Sequence, residues 1–147
     1  MSLAVCFRNT VTVSHHEYFS ALNGLKFVVC HTKSSQTFKV LLLYRTNNSN
    51  IHQYINSIQQ ILTTCPVDVI LGDFNVDFFE DNLQIRELKM LMNSFNFTQI
   101  INSPTFVSSG SLIDHVFVSP GVNINQKSVV SVYYSDHEAI KISISFQ

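Results

Sequence analysis

The sequence predicts an α/β domain in which sheet outweighs helix. Three observations carry this. Apolar runs of strand length, rich in Val, Ile, Phe and Tyr, recur along the whole chain. Two stretches with helical apolar spacing interrupt them. Of the 147 residues, 46% are hydrophobic and 13% charged, the balance of a chain that buries a real core. The length fits one domain.

The first strand-like runs are Leu3–Phe7, Leu25–His31 and Phe38–Tyr44. In "KFVVCHTKSSQTFKVLLLY" the last two are joined by a polar turn, Lys33 to Gln36, which predicts a hairpin. The Asn-rich "TNNSN" then ends in Asn50, a cap for a helix whose Ile51, Tyr54, Ile55, Ile58, Ile61 and Leu62 form one stripe. Pro66 lies past its end. A strand follows at Val67–Leu71. A second helix runs from about Leu83 to Phe95, with Ile85, Leu88, Met92 and Phe95 inward and Asp81 or Asn82 as cap. Strands Leu112–Ser119, Val129–Tyr134 and Ala139–Phe146 close the chain. The last is clearest, because Ile140, Ile142, Ile144 and Phe146 alternate with Lys141, Ser143 and Ser145, as a strand with one wet face requires. There is no repeat, low-complexity tract or linker.

Composition narrows the function. The net charge is −1, the pI is near 6.6, and the nine Lys and Arg residues are scattered singly, so no basic stripe marks a nucleic-acid groove. Three cysteines, Cys6, Cys30 and Cys65, are odd in number and far apart with no C-x-x-C. That argues against a disulfide framework or zinc knuckle and suits a reducing compartment. No apolar run approaches the roughly 18 residues of a membrane span, and "LAVCF" is too short for a signal-peptide core. A soluble, unsecreted protein is expected, with no membrane partner.

Polar chemistry gathers where strands end. In "VDVILGDFN", Gly72 lets the chain turn at the strand end, and Asp73 and Asn75, two apart in an extended stretch, face the same way. An Asx turn is the structural alternative. In "SLIDHVFVS", Asp114 interrupts a run suited to burial, and an isolated ion there costs several kcal/mol unless paired. The adjacent His115 or a backbone amide could satisfy it. In "YYSDHEA", a hairpin turn explains Ser135 and Asp136 but not His137. Acids, an amide and an imidazole on strand ends of one sheet are the parts of metal-assisted hydrolysis.

"GDFN" (Gly72–Asn75), "IDHVFVS" (Ile113–Ser119) and "SDH" (Ser135–His137), in this order, resemble the endonuclease/exonuclease/phosphatase superfamily, in particular its mobile-element, retrotransposon-type branch. "LLLYRT", Leu41–Thr46, is similar to the family's strand bearing an active-site tyrosine, and "SPTF", Ser103–Phe106, to the segment preceding its "ID" strand. The resemblance implies a DNase I-like, four-layer α-β-β-α sandwich of two mixed sheets that cuts phosphodiesters with Mg²⁺, Mn²⁺ being a possible substitute, and DNA as substrate. By the same resemblance, Asp73 would orient and deprotonate the attacking water, and Asn75 would hold water and phosphate. Asp136 would help to ligate the metal, and His137 would contact the scissile phosphate. Asp114 would hydrogen-bond His137, and Tyr44 would touch a phosphate oxygen.

Family members begin with a strand carrying a catalytic Asn and another carrying a metal-binding Glu. Here "MSLAVCFRN" resembles a later strand, so the expectation is an N-terminally truncated domain over residues 1–147 that lacks the first strands and the main metal carboxylate. Glu17 in "SHHEY", with His15 and His16, is a candidate replacement, a solvated loop the plainer reading; Glu138 sits beside the site as a second candidate, and neither is adopted. Lost strands would expose a sheet edge and invite self-association. Two other readings follow: a catalytically dead remnant that binds nucleic acid or protein, and a phosphatase acting on a lipid or nucleotide. Arg45, Lys33 and Lys39 are as well explained by solvation as by phosphate and are assigned no role. Action inside the cell is expected, in the nucleus if the substrate is chromosomal DNA.

Overall fold

The structure, a computed structural model, describes residues 4–9, 11–19, 25–32 and 36–147, with side chains for 4–9, 11–13 and 36–147. The elements are β1 (Val11–Phe19), β2 (Leu25–Thr32), β3 (Thr37–Tyr44), α1 (Ile51–Thr64), β4 (Val69–Asp73), α2 (Leu83–Ser94), β5 (Thr98–Gln99), β6 (Asp114–Val118), β7 (Val122–Val130) and β8 (Ala139–Phe146). The first six strands form one sheet in the order β1-β2-β3-β4-β6-β5, and β7 pairs with β8 in a second. Every pairing in the large sheet is antiparallel except β3 with β4. That exception has a local cause: α1 is the crossover joining β3 to β4, and a parallel pair needs a connection of that length.

Strand alternation divides the core in two. Leu41 and Leu43 of β3, Ile70 of β4 and Phe117 of β6 face α1 and α2, meeting Ile58, Leu88 and Met92. The intervening Phe38, Val40, Val69, Val116 and Val118 face the β7–β8 hairpin, whose Ile140, Ile142, Ile144 and Phe146 pack against them. Helices, large sheet and small sheet are thus three successive layers of the expected α-β-β-α sandwich among the described residues.

The helices keep their predicted caps. Asn50 Oδ1 accepts the amides of His52 and Gln53, and Asn82, rather than Asp81, caps α2 by accepting the Ile85 amide. Asp81 forks onto Arg86 instead. No helix among the described residues is long and apolar enough to cross a membrane.

Several boundaries differ from expectation. Residues 4–8 form no strand, although Phe7 packs against the second core. The stretch carrying His15, His16 and Glu17 is not a loop but part of β1, with Glu17 opposite Phe27 of β2. The Lys33–Gln36 turn lies outside the described residues except for Gln36. The run at Val129–Tyr134 ends at Val130, and its strand begins earlier, at Val122. β7 was hidden because Asn123, Gln126, Lys127 and Ser128 are exposed on a two-stranded sheet with a wet face, so its apolar signal is thin.

Candidate active site

Register places the acids before any side chain is considered. Asp73, the last residue of β4, is the cross-strand partner of Asp114, the first of β6, and on its other side of Tyr44, the last of β3. Each lies two residues from one that faces the hairpin layer (Leu42, Leu71 and Val116 pack there), so period-two alternation sets a row of Tyr44, Asp73 and Asp114 on that face of the sheet. Adjacent His115 takes the opposite face. It is fully buried, its Nε2–H donating to the Val76 carbonyl at 2.8 Å while Nδ1 accepts from Gln99 Nε2 at 3.0 Å. Burial pushes this imidazole down to about 4, so it stays neutral and is not the partner of Asp114.

That partner comes from the loop between β7 and β8. His137 Nδ1 lies 2.9 Å from Asp114 Oδ2, and its Nε2 lies 3.8 Å from Asp73 Oδ2. The carboxylate only accepts, so Nδ1 carries the proton and the ring is held with Nε2 toward Asp73. The loop limb bearing His137 is pinned by residues 105–107: Glu138 N donates to the Thr105 carbonyl at 2.7 Å and Val107 N to the Asp136 carbonyl at 2.9 Å. Thr105, fully buried, also accepts the amides of Ile113 and Asp114 at 3.2 and 3.0 Å through Oγ1. One threonine therefore ties the start of β6 to the histidine loop, and the Phe106 ring lies edge-on to His137 with centroids 5.0 Å apart.

Asp73 is 4% exposed. Burial, followed by the neighbouring Asp114 carboxylate, pushes its carboxyl up to about 6, while the Asn75 amide, His137 and Arg45 pull the other way. The Asn75 amide donates to Asp73 Oδ1 at 3.0 Å. Asn75 does not continue an extended stretch: its φ is 50°, a conformation Asn tolerates, and its side-chain amide turns back to donate to the Arg45 carbonyl. Asp77, two residues on, is a structural Asx turn that accepts the Phe79 and Leu112 amides, each at 3.0 Å. Gly72 likewise serves packing, not a turn, since it lies within β4 between Leu43 and His115.

Arg45 holds this loop from behind, a role that reading it as solvated missed. It is buried, and its guanidinium donates to the carbonyls of Phe74 at 2.9 Å, Asn75 at 3.1 Å and Ser49 at 2.8 Å. Its own amide donates to the Asp73 carbonyl at 2.9 Å. Arg45→Ala should cost about 3 kcal/mol, because buried carbonyls lose their donors, and should weaken any activity that depends on Asp73 and Asn75. Chemical denaturation measures the first. Arg45→Lys, with one point charge in place of a planar fork, should recover only part of the loss.

A cavity of about 360 Å³ opens over these residues, lined in part by Asn75, Asp77, Glu80, Phe106, Ile113 and His137. Tyr44 is half-buried in the row beneath. Asp136 is not brought into the cluster: it is exposed, and among the described residues the ligand atoms that converge within 4.8 Å are those of Asp73, Asp114 and His137. Glu138, also beside the site, accepts from Ser131 Oγ at 3.1 Å. The three converging residues form a group that could hold a metal ion. Two carboxylates close enough for one to raise the other's affinity for protons are a place where a divalent cation would relieve repulsion, and such hard cations take one or two carboxylates.

A mixed sheet covered by helices on one face and a second sheet on the other, with an Asp–His–Asp line at the rim, defines a DNase I-like protein of the endonuclease/exonuclease/phosphatase superfamily. Residues 38–141 match the family described as endonuclease-reverse transcriptase, and the chain belongs to that family. Among solved structures, it is similar to the endonuclease domain of TRAS1, a telomere-specific non-LTR retrotransposon. That likeness has a TM-score of 0.70 and 17% identity, covering 87% of this chain and 65% of that one. An endonuclease/exonuclease/phosphatase family protein from Bacteroides thetaiotaomicron follows with a TM-score of 0.62 and 17% identity, over 84% and 55% of the two chains. One from Beutenbergia cavernae has a TM-score of 0.60 and 16% identity, over 83% and 39%. The chain thus spans less than two thirds of each, and at these identities the likeness is one of fold. No curated protein matches.

Proposed function

We propose that this chain is a single endonuclease/exonuclease/phosphatase domain that hydrolyses phosphodiesters of DNA with Mg²⁺, as a mobile-element endonuclease does. The observation that supports it most is the line Asp114–His137–Asp73 beside an open cavity. Asp73, with a carboxyl near 6, is suited to take the proton of a water at neutral pH. The water oxygen then forms its bond to phosphorus as the bond to the leaving oxygen breaks. Asp114 fixes the His137 ring, whose Nε2–H, when the imidazole is protonated, meets charge growing on the phosphate oxygens. Tyr44, in the same row as Asp73, and the remaining N–H of the Asn75 amide, which also donates to the Arg45 carbonyl, would add phosphate contacts. Mg²⁺, for which Mn²⁺ is a possible substitute, would neutralise phosphate charge, with carboxylate oxygens of this rim as its ligands.

The joining of Asp114 and His137 from segments far apart in sequence favours this reading over an inert remnant. The test is nicking of supercoiled plasmid with Mg²⁺, with Mn²⁺ and with EDTA. Nicking should need the metal, and His137→Ala should slow it by about 10²- to 10⁴-fold, the usual worth of a positioned proton donor. Nicking that persists in EDTA, or at full rate in Asp73→Ala, would overturn the proposal.

A further inference from the structure

We infer that Tyr133 and Tyr134 form a stacking platform for unpaired nucleobases beside the cleaved phosphate, an inference that rests on the nucleic-acid reading above and names the form of substrate the site takes. β7 and β8 are in register up to Val130 opposite Ala139, so residues 131–138 form the loop at the hairpin's end. Its two limbs differ. The His137 limb is added as a bridge to Phe106 and fixed by the backbone bonds of Asp136 and Glu138. The other limb carries Tyr133, 100% exposed, and Tyr134, 76% exposed. Their rings sit edge to face, centroids 5.3 Å apart and planes 86° to each other, so each limits the other's motion while leaving a face open.

Two bulky rings held in water add nothing to the core, and aromatic surface of this kind marks a contact with something outside the chain. The loop that bears them also carries His137, the group that faces phosphate, so a nucleotide whose phosphate lies at His137 has its neighbouring bases within the reach of the same loop. Val107, 61% exposed and bonded through its amide to the Asp136 carbonyl, adds apolar surface on this side. The loop has Asp136 and Glu138 but no Lys or Arg. Affinity here must come from ring faces, not phosphate neutralisation, and bases stacked within a duplex do not offer theirs. A phosphatase substrate without a base would have no use for this limb.

The test is binding without hydrolysis, by fluorescence polarisation in EDTA, of a labelled ten-nucleotide dT strand and of an abasic strand of equal length. Wild type should bind dT at least tenfold more tightly than the abasic strand, and Tyr133→Ala/Tyr134→Ala should bring dT down to the abasic level. Tyr133→Phe/Tyr134→Phe should retain the preference, and the preference should persist as salt rises. Equal binding of the two strands by wild type, or a dT affinity unchanged in the double alanine variant, would overturn the inference. Hydrolysis of bis(p-nitrophenyl) phosphate, read separately, should be the same in wild type and the double alanine variant. If that ester is untouched by wild type while the dT preference holds, the hydrolase reading fails and the platform stands.

Discussion

Replacing Asp73 by Asn is expected to stabilise the fold at neutral pH while sharply slowing hydrolysis. Both effects come from one buried carboxyl. In the unfolded chain Asp titrates near 3.8, whereas in the fold burial and the Asp114 carboxylate hold it at about 6. Between those values the folded state binds more protons than the unfolded one. The favourable contribution is therefore complete below the unfolded value and is lost as pH rises through the folded one. Above pH 7 the ionised Asp73 weakens the fold, by an amount on the order of 2 kcal/mol. Asn removes the charge but keeps an oxygen for the Asn75 amide, which now donates to Asp73 Oδ1. Urea unfolding in EDTA should show the variant more stable than wild type at pH 8, the difference shrinking toward zero at pH 4. A variant less stable at pH 8 would contradict the burial argument. Under the proposed mechanism the same change removes the base, so nicking should fall by about 10²-fold or more, and wild-type nicking should decline as pH drops below about 6.

The second large effect concerns Gly72. A Cβ there would lie 1.8 Å from the Leu43 carbonyl oxygen, 2.7 Å from its carbon and 2.9 Å from the Leu43 nitrogen, all backbone atoms, and the φ of 150° is one that side chains rarely adopt. Leu43 is the partner of Gly72 in the parallel pair of β3 with β4, so the clash is relieved only by parting those strands. Gly72→Ala should cost about 4 kcal/mol or more, enough to unfold a domain of ordinary stability. The loss of soluble, cooperatively unfolding protein checks it. Gly110→Ala is the control: φ is 67° but no atom lies within 4 Å of the added carbon, so the cost should be the backbone strain alone, about 1 to 2 kcal/mol. Near-equal stabilities for the two variants would mean that the strands can separate at Gly72 without loss.

Much of this protein was decided by local sequence. The helical spacing of Ile51 to Leu62 set both the existence of α1 and its buried face, and Asn50 its start. The apolar run Phe38–Tyr44 and the alternation in Ala139–Phe146 set two strands almost to the residue. The motifs around Asp73, Asp114 and His137 pointed to a shared site because their order resembled a known family's. What sequence could not settle was mostly partnership. His115 and His137 were both available to Asp114, and only the pleat of β6 and the path of the β7–β8 loop turned one away and brought the other to 2.9 Å. Arg45 looks like any solvated arginine until Ser49, Phe74 and Asn75 converge on it. Strands β1 and β7 carry too many polar residues to announce themselves, since a strand on a wet or small sheet needs few apolar positions. Apolar periodicity is a property of near neighbours along a chain and survives in the sequence. The partner of a buried charge or donor is chosen by segments that meet only when the chain closes on itself, and that choice belongs to the tertiary structure.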